Sequence, residues 1–311
     1  MPVISVIATK RSPGSTSIAL IISSLLKAYY EDSVFLEADP AGGDLALRFQ
    51  RSSRPGLITL AAERKSITAE LLNDHCQLFK SLKIIFGTQG YEQFALVDKT
   101  LKETVDCCVK GNDSLMVVDL GRWIPGIEVS KALLKASECV VLVVDNSPGG
   151  IVSARSILGS INNDFDKPNV LICSTGLQTF EISEVESFLK HDVIGVIDEP
   201  YKVSELLLEF DGSLVKIKTD QSRALSAFQE HLLLSIGKPI TPEIPVSQEL
   251  QHTVTQAGMG KEASFRNRFF KRGSSTFEEL STKYIDEKDF ETSDGGRSEF
   301  DENELMELVE E

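Results

Sequence analysis

The sequence predicts an α/β domain: a doubly wound, mostly parallel sheet of about seven strands with helices on both faces, followed by a disordered acidic tail. Three observations lead there. From residue 3 to about 237, short apolar runs alternate with longer spans of helical spacing. The runs are rich in β-branched residues and lack strict polar alternation, as strands covered on both faces do. After Lys238 the composition changes abruptly to proline, then to acids. A domain of 1–238 and a tail of 239–311 follow.

The strand runs are "VISVIA" (3–8), "SVFLEA" (33–38), "LKIIFG" (82–87), "SLMVVD" (114–119), "CVVLVVD" (139–145), "NVLICS" (169–174) and "DVIGVI" (192–197). Helical spacing falls between them at roughly 14–31, 67–79, 91–110, 126–137, 150–163 and 182–190. Strand and helix in strict turn are the pattern of doubly wound sheets. A last helix, 222–237, stops at Gly237 with Pro239 beyond it. "PITPEIPV" holds three prolines in eight residues and reads as an extended linker. Beyond it the chain is hydrophilic and acidic, mostly disordered apart from short helical patterns at 276–284 and 302–310.

Charge narrows the function. Of the net −15, residues 273–311 carry −11 (fourteen acids, three bases), which leaves −4 for the rest. That balance disfavours DNA as a partner and would repel anionic lipid heads. The basic-aromatic cluster "RNRFFKR" (266–272) is too short for a stable interfacial helix, so direct membrane binding is also disfavoured. In the terminal "FDENELMELVEE", the spacing of Phe300, Leu305, Leu308 and Val309 suits either a motif that folds on a partner or plain disorder. Five cysteines lack metal-type spacing, and Cys139 and Cys173 lie in or beside apolar runs. A reducing cytoplasm is the simplest compartment. No apolar run is long enough to cross a membrane, and the N-terminal charges follow the apolar run, unlike a signal peptide.

The first strand runs into a helix through "ATKRSPGSTSIAL" (8–20). A phosphate loop, G-x-x-x-x-G-K-[ST], wraps phosphates in backbone N–H groups, adds a lysine charge and holds Mg²⁺ with the hydroxyl. The eight positions here are Thr9, Lys10, Arg11, Ser12, Pro13, Gly14, Ser15 and Thr16. Gly14 and Thr16 fit; Thr9 replaces the first glycine and Ser15 the lysine. A plain strand-to-helix turn, with Pro13 near the helix start, explains the same residues. Asp39 in "DPAGGD" equally suits a turn, and Asp119 a strand end or helix cap.

At these residues the chain resembles the MinD/ParA ATPases, the deviant Walker A branch of the SIMIBI P-loop class. The deviant loop has an extra lysine one residue after its first glycine, where Lys10 stands. The resemblance implies that Lys10 crosses a homodimer to the partner's ATP. It extends through "LEADPAGGDLALRF" (36–49), "LMVVDLGRW" (115–123), "CVVLVVDNSPGGIVSARSIL" (139–158) and "VIGVIDEPYKVSEL" (193–206), in the family's order over about 2–237. It places water alignment on Asp39, Mg²⁺ on Thr16 and Asp119, and the nucleotide on Lys10, Arg11, Ser12, Pro13, Gly14, Ser15, Thr16 and Ser17. ATP and Mg²⁺ are the implied ligands, and Lys10 joins Asp39 as a catalytic candidate. Cys173 stands where the family often has the asparagine that reads adenine. The "SPG-x-T" loop and "EADPAGGDLA" are similar to a degenerate, CpaE-like actinobacterial subgroup that accompanies secretion or pilus machinery.

The departures weaken the site. Without a lysine at position 15 a charge contact worth about 3–4 kcal/mol is lost. Pro13 removes a backbone donor, and Arg11 brings a Cβ where close approach is wanted. The expected function is a dimerising positioning or regulatory factor for a membrane-associated machine (pilus, secretion or division apparatus). It binds nucleotide weakly, with slow or absent hydrolysis, and reaches the inner face of the membrane only through protein partners. The alternatives are an interaction scaffold without nucleotide and a DNA-segregating ATPase.

Overall fold

The computed structural model describes residues 2–10, 14–30, 32–63, 66–88, 91–109, 114–124, 126–164, 170–175 and 179–238. The tail expected at 239–311 lies outside the described residues, as do Arg11, Ser12 and Pro13 of the loop.

Each apolar run forms a strand. In chain order the elements are β1 (Val3–Ala8), α1 (Ser15–Leu26), β2 (Asp32–Glu37), α2 (Leu45–Arg48), α3 (Leu57–Ala62), α4 (Ala69–His75), β3 (Gln77–Phe79), β4 (Leu82–Ile85), α5 (Tyr91–Val109), β5 (Ser114–Arg122), α6 (Glu128–Ala136), β6 (Cys139–Asp145), α7 (Pro148–Asp164), β7 (Val170–Thr175), α8 (Ile182–Leu189), β8 (Val193–Ile197), α9 (Pro200–Glu209) and α10 (Thr219–Ser235). The strands form one sheet in the order β3-β4-β2-β5-β1-β6-β7-β8. All neighbours run parallel except β3, which turns back on β4.

The eighth strand, β3, is the element missed by sequence. Three residues carry no readable period, and Gln77–Phe79 continued the helical spacing of 67–79. The helix there ends at His75 instead, and the tight turn at Lys80 (φ 53°) starts the hairpin. The helices α2, α3 and α9 also fall outside the predicted spans; the first two are four and six residues long, too short to show a period.

The central strands are buried on both faces. All six residues of β1 are buried, as are the first six of β6. On one face Ile4, Val6, Phe35, Val117, Val141 and Cys173 join one core with α1, α9 and α10. Helix α1 packs on β5, β1 and β2 of the sheet and on α9, with α10 beside it against β8, and eleven of its residues are buried. Burial on nearly every side is explained by that position. Gln229 on α10 donates to the carbonyl of Leu25 at 2.6 Å, which ties its far end down.

Leu20 is fully buried in the middle of α1. Leu20→Ala is expected to cost about 2–5 kcal/mol. In urea unfolding this lowers the midpoint and leaves the m-value unchanged.

Candidate functional site

In a parallel sheet every strand ends on the same edge, and the crevice beyond that edge collects the loops. Here β1, β2, β5 and β6 deliver Lys10, Glu37, Asp119 and Asp145 to it. Register sets their spacing: Glu37 on β2 lies beside Asp119 on β5. Val6 of β1 pairs Asp119 from the other side.

Asp119 is fully buried. Its Oδ1 accepts the Gly121 N–H at 3.1 Å, and its Oδ2 has no hydrogen-bond partner among the described residues. Burial pushes its pKa up to about 7; the Thr16 hydroxyl and the Gly121 N–H pull it down, and Asp39 and Glu37 push it up. Gly121 serves both aspartates. It sits at φ +58°, and a Cβ on it would lie 2.2 Å from Asp39 Cγ. Only glycine leaves that seat free. Asp39 in turn accepts the Ala41 N–H at 2.8 Å, which closes the turn of "DPAGGD". Thr16, Asp39 and Asp119 are therefore brought together.

Glu37 was not singled out from sequence, yet it holds this arrangement. It is 3% exposed, and it accepts the Leu45 N–H at 3.0 Å and the Gly87 N–H at 2.9 Å. One carboxylate thus joins the loop after β2 to the loop after β4. Burial raises its pKa to about 7, against the pull of the two N–H groups and helped by Asp44 and Asp39. A Cβ on Gly43 would lie 2.0 Å from its Cδ, so the loop closes directly over it. The signal was the glutamate itself, an acid that closes the apolar run 34–36 at the end of β2.

The first turn of α1 is built on Gly14, at φ 92°, and no side chain caps it. The opening N–H groups of an α-helix have no partner within it. A Cβ on Gly14 would meet Pro200 Cγ at 2.7 Å, so the start of α9 packs against the loop. Ser15 is buried. Ser17 does not join the acids: Arg48 donates to its hydroxyl at 3.3 Å and to Ser204 at 2.8 Å. The Arg48 guanidinium also lies 4.1 Å from the Tyr201 ring centroid.

Lys10 stands apart from Asp39 and Asp119 as a bonded partner of another acid. Its Nζ lies 2.5 Å from Asp145 Oδ2 at the end of β6. Ser147 also donates to that oxygen. Burial pushes the Asp145 carboxyl up, but the bonds from Lys10 and Ser147 and the Lys10 charge outweigh it and hold it below the usual range. Cys173 is buried, as its apolar run implied: it lies fully buried in the core inside β7, two residues before the strand ends, with its Sγ 4.0 Å from the Ser174 carbonyl oxygen. Burial pushes its thiol to about 12.

No family model matches the chain, and no curated protein does. Solved structures do. A ParA family ATPase from Chlorobium tepidum aligns with a TM-score of 0.61 at 17% identity, over 74% of this chain and 99% of that one. The MinC:MinD cell division complex of Aquifex aeolicus aligns at 0.57 and 17%, over 78% and 98%. This chain has the ParA/MinD fold. A third structure, the Cyanothece McdA(D38A)-ATP complex, aligns at 0.56 and 14% identity, over 78% of this chain and 98% of that one. The ParA/MinD fold accounts for about three quarters of the sequence.

The acids give a pH prediction. A carboxyl whose folded pKa is raised binds its proton more tightly when folded. Its stability contribution is full below the unfolded pKa and is lost as pH rises through the folded one. For Glu37 and Asp119 the loss runs from about pH 4 to about pH 7. Asp119→Asn is expected to flatten this slope and to stabilise the metal-free protein by about 1–3 kcal/mol above pH 7, since it removes a buried unpaired charge. Thermal unfolding across pH 4–8 checks both.

Proposed function

We propose that this protein is a dimerising positioning or regulatory factor of ParA/MinD type that binds Mg-nucleotide weakly, with slow or absent hydrolysis. The observation that carries this reading is the fully buried Asp119, whose Oδ2 lacks a partner and whose acidity Thr16 influences, beside the uncapped start of α1. A divalent cation bound there would satisfy the orphaned oxygen and offset the repulsion among Asp119, Asp39 and Glu37.

In this reading the backbone of 10–16 and the first turn of α1 hold the phosphates. Arg11, Ser12 and Pro13 belong to that cradle by sequence. Thr16 and Asp119 hold Mg²⁺, and Asp39 aligns a water. Among the described residues no three His, Cys, Asp or Glu side chains are grouped to hold a metal by themselves. The remaining ligands would come from the Thr16 hydroxyl, phosphate oxygens and water, as is usual for Mg²⁺. Ser15 supplies no charge, so binding is weak and the transition state is poorly stabilised. Lys10 serves the second copy of a homodimer.

The partners follow from the company of the fold. The similar structures include MinD bound to MinC and the McdA protein. That company supports protein partners; in our reading this chain is a cytoplasmic factor that recruits proteins of a membrane-associated machine. Among the described residues no helix is long and apolar enough to cross a membrane; in this reading attachment runs through partners. A scaffold without nucleotide is the second reading, favoured by Ser15 and by the commitment of Lys10 to Asp145.

One experiment separates them. Mg-ATP at 100 times its dissociation constant should stabilise the protein by about 2.7 kcal/mol in thermal unfolding, and Asp119→Ala should abolish the shift. No shift at millimolar nucleotide leaves the scaffold reading. Ser15→Lys is expected to raise phosphate release at least ten-fold if the loop is otherwise competent, as a single transition-state charge does.

A further inference from the structure

We propose that Asp145 is the resting seat of Lys10, which a second, nucleotide-bound copy of this chain must displace before the dimer closes. This rests on the reading above, in which Lys10 crosses between copies.

The seat is built into the sheet. Parallel β1 and β6 pair Ala8 with Val143, and Thr9 donates its N–H to the Val143 carbonyl at 3.1 Å. Lys10 and Asp145 each lie two residues beyond that paired position, so the register brings them side by side. Asp145 is also held without Lys10. Ser147 donates to the same Oδ2, and Ser147 itself accepts the Gly150 N–H at 3.2 Å as α7 begins. The backbone of Gly150 comes so near that a Cβ would sit 2.1 Å from the Asp145 carbonyl oxygen. Departure of Lys10 therefore leaves Asp145 bonded and the seat intact.

The strength of the pair suits a seat rather than a lock. The Lys10 side chain is 48% exposed and that of Asp145 22%. Ion pairs this exposed contribute little to stability and are readily exchanged. Such a pair withdraws Lys10 from dimerisation in proportion to the time it is formed, so it lowers apparent dimer affinity by a factor of about two to five. It also explains why Lys10 does not neutralise Asp39 and Asp119: its partner lies in register, and they do not.

Two measurements test the proposal. The first is acylation of lysines by an activated acetate ester in the nucleotide-free protein, read by peptide mass spectrometry with exposed Lys102 as reference. Asp145→Asn is expected to raise Lys10 labelling about two- to five-fold relative to Lys102, and equal labelling overturns the seat. The second is sedimentation velocity in Mg-ATP. Asp145→Asn should lower the protein concentration of half-dimerisation by a similar factor, and should change nothing in a Lys10→Ala background. An unshifted midpoint overturns the gate. If labelling responds but neither protein dimerises, the nucleotide-gated reading fails and the gate with it, while the seat stands. Asp145→Ser repeats both measurements as a second variant should the asparagine form fold poorly.

Discussion

The burial of α1 is the constraint on which the rest of this molecule depends. The helix packs against the sheet and α9, with α10 beside it, in one core. A helix so enclosed has no freedom to shift along its axis without opening voids in a close-packed core. Its first turn is therefore fixed against the ends of β1 and β5. Gly14 must be glycine both for its left-handed backbone and for the approach of Pro200. Thr16 is held where it bears on Asp119. The site is thus positioned by apolar packing, and its polar groups inherit that position.

The electrostatics of the edge follow from the same packing. Glu37 and Asp119 occupy neighbouring strands in register, with Asp39 seated on Gly121 nearby. Burial and mutual repulsion raise two of the three carboxyls to about 7. Glu37 offsets its burial with two backbone N–H groups, which also close the loop carrying Asp39. Asp119 has only one such bond. The difference separates a carboxylate that is consumed by the fold from one that retains an unused oxygen. The unused oxygen costs stability at Asp119, as buried polar atoms without a partner do.

Lys10 brings positive charge to the edge, and Asp145 at the end of β6 holds it. Register, and not overall attraction, decides where that charge rests. Lys10 meets Asp145 because the two strands carry them side by side, while the more crowded acids lie across β1. Arg48 supplies a second cation near α1, but Ser17, Ser204 and Tyr201 hold it between helices. Neither cation occupies the place that Ser15 vacates.

The sequence by itself determined the sheet, because buried parallel strands write themselves as β-branched runs that no other structure needs. All seven such runs are strands, and the long helices between them fall close to their predicted spans. It also determined that Lys10, Asp39, Asp119 and Thr16 would come to one edge, since parallel strands end together. Tertiary structure alone decided the rest. Strand β3 and helices α2 and α3 are too short to hold a period, so their states depend on neighbours. Register decided which face of the sheet the buried Cys173 joins, since one residue of slip turns a strand side chain to the other face. The role of Glu37 and the pairing of Lys10 with Asp145 needed the folded chain, because their partners come from strands and loops far away in sequence. Contacts of that kind are set by strand order and register, which no local spacing encodes.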